Sequence, residues 1–183
     1  MASTGKPDIL STNVFHSEKQ GVTEDKPDDL QKTVDIVVQT WKLVNQDALK
    51  HGTVFYKRLF TTHPGVVELF SFSSEVKENM DESSGLENQA YLLMAMIDYA
   101  VSQLGNLDEL IPKLKDLGAT HFVKYQAKPE HFKPVGESLL WTLKEGLGEL
   151  FTPEVEKAWT SIYTILSDVM IEGGKAALDD GSV

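Results

Sequence analysis

From Asp29 onward the apolar residues recur at intervals of three and four. Val34, Val37, Val38, Trp41 and Val44 form one stripe, which predicts a helix that Asp28 or Asp29 can cap. A second helix is expected from about Asp47 to Thr61, with Ala48, Gly52, Phe55, Tyr56, Leu59 and Phe60 on one side. Glycine inside a helix costs about 1 kcal/mol relative to alanine, so Gly52 suggests close approach of another helix. His63-Pro64 ends this element and opens a short one. Leu69-Phe70-Ser71-Phe72 reads as a corner, and residues 73 to 84 read as an acidic loop with room for one helical turn. Ser84-Gly-Leu-Glu87 has the form of a capping box. It opens a long helix to about Gly105, with Leu86, Gln89/Ala90, Leu93, Met96/Ile97, Ala100/Val101 and Leu104 inward. Asn106-Leu-Asp-Glu109 is a second cap signature, and Pro112 argues for an irregular or two-part helix reaching His121. Pro129-Glu-His-Phe132 starts a helix carrying Phe132, Val135, Leu139, Leu143, Leu147 and Leu150. Thr152-Pro153-Glu154 starts the last, with Val155, Trp159, Ile162, Leu166, Val169 and Gly173 inward. No sustained period-two run and no hairpin turn signal occurs. The expected class is all-α: six substantial helices plus short ones, crossing at mixed angles rather than as a four-helix bundle.

Residues 1–28 read as a polar tail whose few apolar residues, Ile9, Leu10, Val14 and Phe15, are too scattered to build a core. The folded domain is expected over 29–178, with a frayed end at 179–183. The 183 residues suit one domain. No apolar run approaches the ~20 residues of a membrane span, and the start has neither a signal-peptide core nor a Met-Gly lipidation site. The expected location is the cytoplasm. A net charge of −11 argues against nucleic acid and anionic membranes as partners. With no cysteine, disulfides, thiolate metal sites and thioether-linked haem are excluded. Histidines and carboxylates remain as metal ligands. Within Leu110–Val123 a helix places Leu110, Leu114, Leu117 and His121 on one side. A buried imidazole needs a partner for each ring nitrogen, and a metal is one such partner. Taken alone, the pattern fits a satisfied core histidine better than a ligand.

The order of features across residues 30 to 172 resembles the globin family, and within it the neuroglobin-like, intracellular invertebrate-type group. The matching residues are Trp41, the run His51-Gly-Thr-Val-Phe-Tyr-Lys-Arg-Leu-Phe60, Pro64, Leu69-Phe70, Ile97-Asp98, Ala100-Val101, Leu117-Gly118 before His121, Val135-Gly-Glu-Ser-Leu-Leu140, Phe151-Thr-Pro153, Ala158-Trp159 and Tyr163. The resemblance implies a globin fold of six to eight helices around a pocket for haem b, bound non-covalently. It raises His121 to the proximal iron ligand. It also implies haem contacts for Phe70, Leu93, Leu117, Phe132 and Val135, each of which would serve equally as plain core.

Two departures from that family stand out. Gln89 falls where most of its members carry the distal histidine, and an amide is a poor iron ligand. Tyr56 falls on the distal side of the second helix. A phenolic O–H and an amide N–H stabilise dioxygen, which is partly negative when held at iron, most strongly in a pocket of low dielectric. At about 0.5–1.5 kcal/mol per net hydrogen bond, two donors slow ligand loss about tenfold. Leu92 stands where neuroglobin-like chains often have a base able to reach a haem propionate. Lys124, Lys128 and His131 are candidates for that role by proximity only. The expected function is reversible binding of dioxygen, among diatomic gases, at a pentacoordinate ferrous haem, for storage or transport, with no catalytic residue. The alternatives are a haem enzyme (nitric oxide dioxygenase, nitrite reductase or peroxidase-like), which would need an external reductase, and a gas or redox sensor.

Overall fold

The computed structural model describes residues 27–181, so the tail to residue 26 and the last two residues lie outside it. Seven α-helices make up most of the described residues: α1 (Pro27–Val44), α2 (Ala48–Thr62), α3 (Ser73–Asn79), α4 (Ser84–Ser102), α5 (Leu107–Val123), α6 (Phe132–Leu147) and α7 (Pro153–Asp179). Short 3-10 turns join them, and no strand occurs among the described residues. Helix α1 already includes Asp28 and Asp29, so neither is its N-cap. Helix α7 continues to Asp179, one residue past the expected domain boundary.

Three local expectations are corrected. Ser83, not Ser84, caps α4; its hydroxyl accepts the Leu86 N–H at 3.1 Å. The acid that completes the cap is not Glu87 but Glu75, from the segment expected to be a loop. Helix α3 carries Glu75 to the start of α4, where it accepts the Gly85 N–H and the Ser83 hydroxyl, both at 3.0 Å. Those bonds, the Gly85 amide first, hold its carboxyl below the usual range. Finally, α5 is one continuous helix through Pro112. The proline is exposed, so the Asp108 carbonyl it leaves without a helical donor is open to water. Thr152 caps α7 as expected, accepting from Val155 at 3.4 Å with Pro153 in the first turn.

The core is built from Val37, Trp41 and Val44 of α1, Phe55, Leu59 and Phe60 of α2, Leu86, Ala90 and Met94 of α4, Leu143 of α6, and Trp159 and Ile162 of α7. Burial of each large apolar side chain contributes about 1.5–3 kcal/mol before entropy is counted. The two tryptophans meet at 5.9 Å. The Trp41 indole N–H donates to Asp98 at 2.8 Å and that of Trp159 to Thr40 at 2.9 Å, which fastens α1 to α4 and to α7.

Two backbone crossings place the walls of the site. Helix α4 lies on α2 at Gly52, where a Cβ would stand 2.8 Å from the Ala90 carbonyl oxygen. Helix α5 lies on α7 still more tightly. A Cβ on Gly118 would stand 1.9 Å from the Met170 carbonyl oxygen, and one on Gly173 would stand 2.4 Å from that of Lys115. Although consecutive in the chain, α4 and α5 make their main contacts with α2 and α7 and scarcely touch each other.

Candidate functional site

Helices α4 and α5 part from the corner at 103–106. Near the corner the Lys113 ammonium sits 4.5 Å from the Tyr99 ring centroid and spans the two helices. At 1.5 Å per residue, Gln89 lies about 20 Å from the end of α4 and His121 about 20 Å from the start of α5. The two therefore lie at similar distances along their helices from the corner. On these walls Gln89, Leu93, Ile97, Leu117 and His121 are only half-buried, while Ala90, Met94, Leu114 and Phe122 beside them are fully buried. Leu92 and Met96 of α4 are 46% and 38% exposed. An apolar face left open at the edge of a core is the mark of a ligand or a partner rather than of packing.

His121 stands in the last turn of α5, and its Nδ1 lies 2.8 Å from the Leu117 carbonyl oxygen. A carbonyl only accepts, so Nδ1 carries the proton and donates. In the neutral ring Nε2 then holds the lone pair, and it has no protein partner among the described residues. An imidazole oriented by a carbonyl behind it is the usual arrangement of a metal ligand. Among the described residues no three His, Cys, Asp or Glu side chains gather to hold an ion. A bare ion would therefore find one strong ligand at His121. A planar group that brings its own equatorial nitrogens, as haem does, fits this donor set and the apolar walls.

Tyr56 is 4% exposed, ringed by Phe55 at 5.0 Å, Phe60 at 5.5 Å and Phe70 at 5.7 Å. Phe70 also packs edge-on against Phe60 at 5.2 Å. Burial pushes the Tyr56 phenol up to about 12, and the Gln89 side chain facing it acts weakly in the other direction. The Gln89 side chain therefore lies within hydrogen-bonding reach of the phenol oxygen. Tyr56, Phe70, Gln89 and Leu93 thus belong to the side built on α2 and α4, and Leu117 and His121 to α5. Val135 is half-buried against the core. Phe132 stands 6.2 Å from Phe122 and also lines a groove of about 400 Å3 with Gly136, Leu140 and Tyr163, which ties it least closely to the His121 side.

The corner after His121 carries features that periodicity does not reveal. The Tyr125 ring meets the His121 ring edge-on at 5.8 Å. Gln126 has a φ of 55°, the one left-handed non-glycine among the described residues. The Ala127 N–H returns to the His121 carbonyl at 2.9 Å. Four residues after a helical histidine, Tyr125 was within reach by spacing alone, whereas the left-handed residue has no sequence mark. His131 accepts the Lys128 N–H on Nδ1 at 3.1 Å and so closes a turn. Tyr163 donates to the Phe132 carbonyl at 2.5 Å and fixes α6 on α7.

The remaining described histidines are engaged elsewhere. His51 Nδ1 lies 2.8 Å from the Val44 carbonyl oxygen, and His63 lies 3.5 Å from the Glu137 carboxylate.

Comparison with known proteins identifies the family. The globin family model matches residues 53–170. The chain is 32% identical over 145 residues to neuroglobin-1 of Oncorhynchus mykiss, covering 78% of this chain and 91% of that one. It is 31% identical over 144 residues to the neuroglobin of Tetraodon nigroviridis, covering 78% and 90%. Among solved structures it is similar to a hexacoordinated haem protein from an anhydrobiotic tardigrade, with a TM-score of 0.71 and 21% identity over 79% of this chain and 94% of the other, a likeness of fold. By family model, by identity across most of its length and by fold, the chain belongs to the globin family, a membership that implies haem binding.

Proposed function

We propose that the chain binds dioxygen reversibly at a pentacoordinate ferrous haem b, held non-covalently, for oxygen storage or transport in the cytoplasm. The observation that carries this reading is the His121 ring, its Nδ1 committed to Leu117 and its Nε2 without a protein partner among the described residues, together with the buried phenol of Tyr56 beside Gln89. A bound haem would supply ferrous iron as the oxygen-binding centre. His121 would hold the iron through Nε2, its ring angle fixed by the Leu117 carbonyl. Phe70, Leu93, Leu117, Val135 and Phe132 supply the apolar walls that exclude water and hold the ring by contact alone.

Tyr56 supplies a neutral O–H donor. Its phenol, pushed up to about 12, stays protonated at any physiological pH. Gln89 adds an amide N–H from one turn before Leu93. Both act where low dielectric makes a hydrogen bond count for more than in water. Pentacoordination is favoured because an amide ligates iron poorly and because His51, His63 and His131 each have a protein partner. The same reading takes residues 29–178 as the globin domain, with a tail before it.

The test is the absorption spectrum of the reduced, oxygen-free protein. A single broad visible band is expected from five-coordinate high-spin iron. A split low-spin band refutes pentacoordination, and failure to take up haem at all refutes the reading.

A further inference from the structure

The chain carries a net charge of −11, yet the stretch from His121 to Lys133 holds three lysines against one glutamate. Lys124 and Lys128 are exposed and form no ion pair among the described residues. Glu130 is the one acid within the stretch. Glu137, from the next helical turns, approaches Lys133 at 3.9 Å and His63 at 3.5 Å, and pairs with neither Lys124 nor Lys128. Between the two free lysines lies Tyr125, 46% exposed. One edge of its ring contact is the His121 imidazole at 5.8 Å, and the Lys124 ammonium stands 5.3 Å from its centroid. The bond from Ala127 to the His121 carbonyl, closed by the left-handed Gln126, holds this aromatic against the imidazole rather than leaving it on a loose loop.

We propose that the corner Lys124–Lys128 is the docking surface for an electron-donor protein with an acidic face, and that Tyr125 is the contact through which the electron reaches His121 and the iron. The inference rests on the haem reading above. An oxygen-binding haem that loses an electron becomes ferric and stops binding oxygen. One electron from a reduced donor restores it; the donor is oxidised by one electron, and no bond is made or broken. An acidic donor is repelled by most of this acidic surface and attracted to this corner, so the charge pattern both steers and orients it. A basic donor would instead spread over the acidic remainder of the surface, far from His121.

Two probes test this on the full chain loaded with haem. The redox-inert trianion hexacyanocobaltate(III), titrated against the nitrogen-15-labelled protein, is expected to shift the amides of residues 124–128, less so as salt is raised. The double variant Lys124→Glu, Lys128→Glu is expected to abolish those shifts. Shifts centred elsewhere, or none, overturn the proposal. In stopped flow, reduction of the ferric protein by the iron(II)–EDTA dianion is expected to slow as ionic strength rises, against the sign set by the net charge. The double variant is expected to react about tenfold more slowly at low salt and to reverse that dependence. A wild-type rate that rises with salt overturns the proposal. So does loss of haem from the double variant, because it assigns the lysines to the propionates instead. Haem uptake separates the two levels: an unaltered chain that takes up no haem fails the functional reading, whereas a haem-loaded chain with the wrong salt dependence fails only the docking surface.

Discussion

Gly118→Ala tests whether the proximal wall is set by backbone contact. The added methyl group would lie 1.9 Å from the Met170 carbonyl oxygen, 2.6 Å from its carbonyl carbon and 2.8 Å from its Cα. Ordinary contact begins near 3.4 Å, so α5 and α7 must part by about 1.5 Å at this point. None of the three atoms belongs to a side chain that could swing away. The same movement opens the reciprocal contacts, Gly173 against Lys115 and Gly174 against the Phe122 ring. Overpacking of this kind costs about 1–3 kcal/mol, and a rigid neighbour argues for the upper end. Alanine regains about 1 kcal/mol of helix propensity. The net expectation is a loss of about 2 kcal/mol, or about 4–8 °C in Tm for a domain of this size. Thermal unfolding followed by circular dichroism measures it. Gly105→Ala is the control, since nothing stands within 4 Å of its Cβ position; it should be neutral or slightly stabilising. An unfolding temperature for Gly118→Ala equal to that of the control would refute the reasoning. His121 follows by three residues, so the variant should also release haem faster to an excess of apomyoglobin.

Other changes separate the remaining contributions. Tyr56→Phe and Gln89→Leu should each speed oxygen dissociation about two- to tenfold, the worth of one net hydrogen bond of ~0.5–1.5 kcal/mol, measured by flow against a scavenger; unchanged rates mean that the donors do not reach the ligand. Gln126→Val places a β-branched residue at a φ of 55° and should cost about 1–3 kcal/mol in chemical denaturation, whereas Gln126→Gly should not destabilise. Glu75→Gln should flatten the acid limb of the stability curve. The folded-state pKa of Glu75 lies below its ordinary 4.5, so its contribution is present above that pH and is lost as pH falls through the lower value. A variant with an acid limb identical to wild type would show that the bonds to Ser83 and Gly85 carry no weight.

How far residues announce these features depends on the range of the contact behind them. Six helices, the caps of α7 and the inward stripes follow from periodicity, because each depends on neighbours three or four residues away. Gly52 was also legible, since a glycine on an apolar helical face has few other uses. The Ser83 cap was not, because two adjacent serines are locally equivalent and the choice is made by Glu75, eight residues upstream on a helix too short to show a period. Pro112 misled for the opposite reason: the local rule is sound, but exposure lets water serve the carbonyl that the helix cannot. For the site, the inward side of His121 was visible in the pattern of Leu110, Leu114 and Leu117, but its role came from resemblance, because nothing local separates a ligand from a core histidine. The Leu117 carbonyl behind Nδ1 becomes evident only in the folded chain.

The two walls are held by different means, and that difference governs where function can change. On the proximal side Gly118, Gly173 and Gly174 bring backbone against backbone or ring, and His121 is tied through both its ring and its carbonyl. Side-chain substitution there moves a helix, and the imidazole moves with it. On the distal side α4 rests on α2 through Gly52 and the buried Leu86, Ala90 and Met94, while Gln89 and Leu93 face the gap without carrying that contact. Tyr56 is held by its aromatic neighbours and leaves only its hydroxyl to the site. A change at position 89 therefore alters the donors offered to a ligand without displacing the wall that carries them. Gln89, at the position where the resemblance leads one to expect a histidine, falls on this permissive side. It follows that substitutions at 56 and 89 should alter ligand kinetics at nearly constant stability, whereas those at 118, 173 and 174 should alter stability and haem retention together.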